Sequence, residues 1–243
     1  HVASGKIVAQ LRGHEDLVKS ASWDRDGKRL ATGSVGNTAQ IWDVASGKMV
    51  VQLRVHGHGG FVERVSWDKD GKRLATGSSD KTVRIWDVAS GGMVSELRGH
   101  DRSVTSMSWD EDGKRLATGL SDTTVWIWDT GSGAVMAQLR GHTNSVKSMS
   151  WDRDGKRLAT GSDDKTTRIW DVASGAVVAE LRGHSKSVNS VSWNRDENRI
   201  ATGSDDNTAR VWDSETGRCL AVLMLDAPVW CVDWSPDGDW LAL

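Results

Sequence analysis

Tryptophan recurs in this chain at a nearly constant interval, and that interval restricts the possible folds more than any other feature. Eleven of the 14 Trp fall on two ladders, Trp23, Trp67, Trp109, Trp151, Trp193, Trp234 and Trp42, Trp86, Trp128, Trp170, Trp212, the second stepping by 44, 42, 42 and 42 residues. Two extra residues, Val55 and His56, account for the longer step; they precede a Gly57-His58 that matches Gly13-His14, Gly99-His100, Gly141-His142 and Gly183-His184. A repeated unit of about 42 residues cannot bury its apolar face alone, so the units must stack in a row or around an axis.

Within each unit the apolar residues alternate with a period of two, as in SVKSMSW, RLATGS, TTRIWD and AVVAEL, separated by a DRDGK turn, a short polar turn and an ASG turn. That predicts four short strands per unit and no helix. Asp-Gly at 26–27, 70–71, 112–113 and 154–155 supplies the positive φ that a tight reversal needs. Ala31, Gly33 and their equivalents are small residues inside the second strand, where they let a neighbouring sheet approach closely.

Charge and cysteine content narrow the function classes. Lys+Arg 31 against Asp+Glu 33 gives a net charge of −2, which offers no basic field for non-sequence-specific nucleic-acid binding. The longest apolar stretch, residues 219–225, is 7 residues, against the roughly 20 that a membrane helix needs. Cys219 and Cys231 lack disulfide-framework or metal-ligand spacing and fit a reducing compartment, hence a cytoplasmic location. The opening HVASGKIVAQL lacks an initiating Met and the layout of a signal peptide and reads as a fragment or processed chain. No GxxxxGKS, HExxH, GxSxG or helix-opening GxGxxG occurs, so an enzyme is not expected, nor is any cofactor.

The motif GH, a gap, SWDxDGKRLATGS and IWD, recurring five times, resembles the WD-repeat β-propeller family across essentially the whole chain. The resemblance implies an all-β propeller of four-stranded antiparallel blades over residues 1–243 as one domain. It comprises five complete repeats and an incomplete sixth blade, made of an N-terminal outer strand (residues 1–12) and C-terminal inner strands. A six-bladed ring needs roughly 11 more residues than are present and a seven-bladed one about 51 more, so six blades with one strand missing is the simpler expectation and a longer seven-bladed parent stays open. The unpaired first strand predicts an open or weakly closed ring and self-association through that strand.

Each unit carries His, Thr and Asp, the residue types of a nucleophilic triad, yet an active site has no reason to recur in every unit. In the resembled family these groups form a buried structural chain with the WD tryptophan. Carried over, it comprises His58, Thr76, Asp80, Trp86; His100, Thr118, Asp122, Trp128; His142, Thr160, Asp164, Trp170; and His184, Thr202, Asp206, Trp212. The first unit has His14, Thr32 and Trp42, but Gly36 stands where Asp belongs, so its blade should be the loosest and Gly36→Asp should raise the unfolding midpoint. His56 and His58 form a two-histidine metal seed with no third ligand nearby in sequence, so no metal is expected.

Comparing the internal copies separates scaffold from variable surface. DGKRLATGS is identical at 26–34, 70–78 and 154–162, whereas divergence concentrates just after each His and just before the network Asp. In the resembled fold those loops share the top rim where partners dock. The family's contact positions carry over as Leu17, Lys19, Val35; Phe61, Glu63, Ser79; Ser103, Thr105, Ser121; Ser145, Lys147, Asp163; Ser187, Asn189, Asp205; and Pro228, Trp230. Leu17, Val35, Phe61 and Trp230 supply apolar anchors of the kind that dominate interfaces. The DRDGKR turns are expected to form a solvated face on the opposite rim. The expected function is a non-catalytic scaffold for a protein or peptide partner, with no nucleic acid or membrane. The alternatives are a repeat array amplified or designed for folding with no specific partner, and a small-ligand or enzymatic site in the central channel.

Overall fold

The computed structural model describes residues 7, 9–54, 60–194, 196, 198–235 and 237–243. Among them every regular element is a strand, and the chain divides into two compact units, His1–Val104 and Thr105–Leu243.

The first unit holds two sheets, β1 (Val18–Trp23), β2 (Arg29–Ser34), β3 (Thr38–Asp43), β4 (Lys48–Arg54) and β5 (Val62–Trp67), β6 (Arg73–Ser78), β7 (Val83–Asp87), β8 (Met93–Leu97). The second holds β9 (Val104–Trp109), which starts on the last residue of the first unit, with β10 (Arg115–Leu120), β11 (Val125–Asp129) and β12 (Val135–Leu139). There follow β13 (Val146–Trp151), β14 (Arg157–Ser162), β15 (Thr166–Asp171), β16 (Val177–Arg182) and β17 (Val188–Trp193), β18 (Arg199–Ser204), β19 (Thr208–Asp213), β20 (Cys219–Met224), and then the short pair β21 (Asp233–Trp234) and β22 (Leu241–Ala242). Five sheets have four antiparallel strands in sequential order, the meander of a propeller blade, and β21-β22 is an incomplete sixth.

Three turns shape each blade. Gly27, Gly71, Gly113 and Gly155 in the first turn have φ between 64° and 65°, the conformation expected of the Asp-Gly pairs. Asn37, Lys81, Thr123, Lys165 and Asn207 take positive φ in the second turn. The Asp of each WD dipeptide fixes the third: Asp171 Oδ1 accepts the Ser174 backbone N–H at 2.8 Å and its hydroxyl at 2.5 Å. These bonds hold the Asp171 carboxyl below the usual range.

Blades pack face to face through the small residues of the second strand. Ala31, Ala39, Ile41 and Leu53 of the first blade bury against Val62, Val65, Trp67 and Leu74 of the next. A Cβ on Gly33 would lie 2.7 Å from Val62 Cγ1, so glycine admits the valine of the following blade. In the second unit Ala159, Ile169 and Leu181 meet Val188, Val191, Trp193 and Ile200 in the same way.

The sixth blade departs from the repeat. Of the outer strand expected over residues 1–12, residues 1–6 and 8 lie outside the described residues, and Ile7 and residues 9–12 are not in a strand. A fourth strand hydrogen-bonds to a third, as β4 does to β3, and among the described residues no strand follows β22. In the fifth blade Leu223 is 41% exposed, whereas its equivalents Leu53, Leu97, Leu139 and Leu181 are buried.

Candidate functional site

The second unit contains two full copies of the polar chain. Trp170 Nε1–H donates to Thr160 Oγ1 at 2.8 Å, Thr160 Oγ1 lies 2.7 Å from His142 Nε2, and His142 Nδ1 lies 2.7 Å from Asp164 Oδ2. Trp212, Thr202, His184 and Asp206 repeat it at 2.8, 2.7 and 2.9 Å. The threonine hydroxyl accepts from the indole, and the imidazole Nδ1 donates to the carboxylate.

Each of the two carboxylates accepts several hydrogen bonds. Burial alone would raise Asp164, but hydrogen bonds from His142, Thr166 and the Thr143 backbone outweigh it and keep the carboxyl well below its usual range. Burial likewise opposes the Thr208, Ser185 and His184 bonds to Asp206, and the bonds win. Desolvation pushes His184 down despite the facing Asp206, consistent with a neutral ring.

The two preceding sets show contacts of the same kind. Trp86 donates to Thr76 at 2.9 Å and Trp128 to Thr118 at 2.9 Å; Asp80 and Asp122 accept the hydroxyls of Thr82 and Thr124 at 2.7 and 2.6 Å. His100 Nδ1 donates to the Lys81 carbonyl at 3.1 Å. His56 and His58 lie outside the described residues, and among the described residues no three His, Cys, Asp or Glu side chains gather as metal ligands. Thr76, Thr118, Thr160 and Thr202 are 0% exposed, so no substrate reaches these hydroxyls, and the constellation ties strands together instead of presenting a nucleophile.

The first blade differs at the predicted position. Trp42 donates to Thr32 at 2.8 Å and His14 Nε2 lies 2.7 Å from the same hydroxyl, but among the described residues His14 Nδ1 faces Thr38 Oγ1 at 3.3 Å and no carboxylate. A Cβ on Gly36 would stand 2.9 Å from Asp16 Oδ2, so an added carboxylate would meet another one. Gly36→Asp alone is therefore expected to gain little, whereas Gly36→Asp with Asp16→Asn should stabilise the first unit by about 1–2 kcal/mol. Asn is the residue at the matching register, Asn144, ahead of β13. Urea unfolding of both variants decides: equal gains would clear Asp16 of any role, and no gain in either would deny the carboxylate its place.

The variable loops divide into engaged and free side chains. In the first unit Lys19 Nζ lies 3.6 Å from Glu63 Oε2, Ser79 Oγ accepts the Phe61 N–H at 2.8 Å, and Ser103 Oγ donates to the Ser79 carbonyl at 3.5 Å. Val35 is half-buried. In the second unit Thr105 Oγ1 is 2.7 Å from the Val146 carbonyl, Lys147 pairs with Asp163 at 3.1 Å, and Asn189 donates to Asp205 at 2.7 Å and to the Val229 carbonyl at 3.3 Å. Ser145 is buried, Ser187 half-buried, Ser121 and Pro228 exposed. The large side chains left to solvent are Leu17 at 76% and Phe61 in the first unit and Trp230 at 71% in the second.

The DRDGKR turns correct the expectation of a wholly solvated face. Asp24 is buried: its Oδ1 accepts the Lys28 and Arg29 backbone N–H groups and its Oδ2 the Arg29 Nε–H at 2.8 Å. Asp68, Asp110 and Asp152 hold Arg73, Arg115 and Arg157 alike, at 2.9, 2.7 and 3.2 Å. Arg29, Arg115 and Arg157 then cover Trp67, Trp151 and Trp193 of the following blade at 4.7 to 4.9 Å. The repeated Asp and Arg five residues apart was the available signal. Trp126, in the place of Arg84, Arg168 and Arg210, stacks on Trp128 with ring centroids 5.4 Å apart.

Comparison with known proteins agrees with this architecture. Residues 103–243, more than half of the chain, match the family model of the IFT122 first beta-propeller, and residues 5–43 and 48–87 match the WD domain, G-beta repeat. A chromatin assembly factor 1 subunit from Gallus gallus is 44% identical over 50 residues, 21% of this chain and 9% of that protein. Protein HIRA of Oryza sativa subsp. japonica is 44% identical over 46 residues, 19% of this chain and 5% of the relative. Anaphase-promoting complex subunit cdc20 of Dictyostelium discoideum is 43% identical over 47 residues, 19% of this chain and 9% of the relative. The chain thus spans a tenth or less of these relatives' length. Four-stranded meanders, the His-Thr-Trp contacts and the family matches converge on one conclusion: the chain belongs to the WD-repeat β-propeller family.

Proposed function

We propose that the chain is a non-catalytic scaffold that binds a protein or peptide partner through the variable loops preceding each first strand and network Asp. The observation that carries this reading is the contrast within each unit. The identical DGKRLATGS copies form strands whose interiors are buried, while Leu17, Phe61 and Trp230 stand in variable loops with their side chains in water. Exposed aromatic and aliphatic anchors with charged neighbours such as Lys19 and Glu63 are the composition of binding hot spots. Members of the WD-repeat family generally act as protein-interaction scaffolds, and two matched relatives are named as subunits of assemblies. The net charge of −2 favours a protein partner over a polyanion. A cytoplasmic location belongs to the same proposal and rests on Cys219 and Cys231, which are free thiols.

The test is quantitative affinity capture from source lysate with the wild-type chain and a Leu17→Ala, Phe61→Ala, Trp230→Ala variant matched for thermal unfolding. A partner captured by the wild type and reduced at least about tenfold by the variant supports the rim. Equal capture, or none, refutes it and favours a repeat array kept for folding alone.

A further inference from the structure

The repeat carries a tripeptide, Glu-Leu-Arg or Gln-Leu-Arg, at 10–12, 52–54, 96–98, 138–140 and 180–182, and the copy at 222–224 reads Val-Leu-Met instead. Where the acid is present it has a defined task. In the second blade Glu96 Oε1 accepts from Arg84 Nε and Nη2 at 3.0 and 2.8 Å, and Glu96 Oε2 accepts from Arg98 at 2.9 Å. In the fourth blade Glu180 lies 3.7 Å from Arg168 and 2.8 Å from Arg182. Strand register sets each pair, Arg84↔Glu96 between β7 and β8 and Arg168↔Glu180 between β15 and β16.

In the fifth blade the same register brings Arg210 opposite Val222. Among the described residues the Arg210 guanidinium makes no hydrogen bond or ion pair; its Nε–H is buried without an acceptor, and the Trp212 ring centre lies 5.9 Å away. Val222 is 45% and Met224 78% exposed, at the two positions where the other copies carry polar and charged side chains. β20 contains no charged residue and ends its sheet, so among the described residues its outer backbone edge has neither a strand beside it nor the charge that guards such edges. The short sixth sheet is not the cause. Arg210 and Trp212 lie against Gly183, whose added Cβ would stand 2.6 Å from Arg210 Nη1, whereas Val229 and Val232 pack on Ala201 and Ala209 of the opposite face.

We propose that Arg210, Val222 and Met224 receive an extended acidic segment of a partner protein, which adds to the β20 edge and sets a Glu or Asp carboxylate on the Arg210 guanidinium, with aliphatic neighbours on Val222 and Met224. The second and fourth blades supply the template, since there the chain's own glutamate makes that contact. A guanidinium N–H withheld from water without an acceptor is costly, and an incoming carboxylate forms a charge-assisted bond that removes the cost. Addition to a sheet edge supplies backbone hydrogen bonds, and the arginine with its apolar flank selects the sequence. The occupant is an acidic partner and not a second copy, because pairing two copies through this edge brings together two Arg210 side chains and no acid. This surface shares no residue with the rim, so each reading stands or falls without the other.

Fluorescence anisotropy with labelled hexapeptides, each holding one Glu flanked by Val, Ile, Leu or Phe, tests it on the wild-type chain, on Arg210→Gln and on the double variant Val222→Glu, Met224→Arg. The double variant reproduces what the fourth blade holds at this register, Glu180 and Arg182, and Arg210→Gln reproduces Gln40 of the first blade, so both should fold. At least one peptide should bind the wild type saturably, and replacing its Glu by Gln should raise the dissociation constant about tenfold. The double variant satisfies Arg210 with its own acid and should bind about tenfold more weakly or worse, while Arg210→Gln should bind the Glu and Gln peptides alike. No saturable binding by any peptide, equal binding of the Glu and Gln peptides by the wild type, or undiminished binding by the double variant overturns the proposal. Sedimentation velocity of the same proteins covers the other occupant: self-association of the wild type that the double variant abolishes would assign the edge to a second copy and overturn the acidic partner.

Discussion

Thr160→Val is expected to lower the stability of the second unit by about 2–6 kcal/mol, a large effect for a change that preserves shape. Valine has the outline of threonine and is at least as good a strand former, so neither packing volume nor backbone preference is lost. What disappears is the one atom that bonds both Trp170 Nε1 and His142 Nε2. Both partners are buried, water cannot replace the hydroxyl, and two orphaned polar groups each cost about 1–3 kcal/mol. Thr160→Ser keeps the hydroxyl and removes only a methyl group, for roughly 1 kcal/mol. Urea unfolding at unchanged m-value separates the two: if Ser and Val lower the midpoint equally, the hydroxyl is not what holds the sheet.

The regular part of the molecule was legible because it is written repeatedly. The Trp ladders carry the blade spacing, the alternation in VKSMSW and RLATGS the strands, and Asp-Gly the first turn, each a local signal that packing does not override. The buried Asp24–Arg29 pair and its copies were missed for a physical reason. A charged turn reads as solvated unless one knows that the aspartate folds beneath its own backbone and the arginine lies across the next blade's tryptophan. Asp16 beside Gly36 is invisible for a similar reason, since the proximity depends on how two loops approach. Of the outer strand expected over residues 1–12, only Ile7 and residues 9–12 are described, and they are not in a strand, since a strand forms only against a partner that local pattern does not name. At the variable loops, sequence named the positions but not which side chains are spent on neighbours: Thr105, Lys147 and Asn189 are engaged, Leu17 and Trp230 are not.

Gly161→Ala should destabilise the second unit by about 1–3 kcal/mol, and the sign of this effect tests how blades meet. Gly161 sits in β14 with ordinary strand dihedrals, so its freedom to take positive φ is not what the position requires. At such a site alanine normally stabilises by about 0.4–1 kcal/mol, because it restricts the unfolded chain. Here the new Cβ would lie 2.7 Å from both Val188 Cγ1 and Val191 Cγ2. Those valines are buried and β-branched, with little rotamer freedom to yield, so the sheets must separate or strain. Val188→Ala alone opens a cavity and should also destabilise, by roughly 2 kcal/mol. Combined, the two changes should cost less than their sum by at least about 1 kcal/mol, because the methyl added at Gly161 fills space vacated at Val188. A full double-mutant cycle by urea unfolding gives the coupling directly. Simple additivity, or a stabilising Gly161→Ala, would mean that the valine of the following blade does not set the glycine requirement that recurs at Gly33 and Gly203.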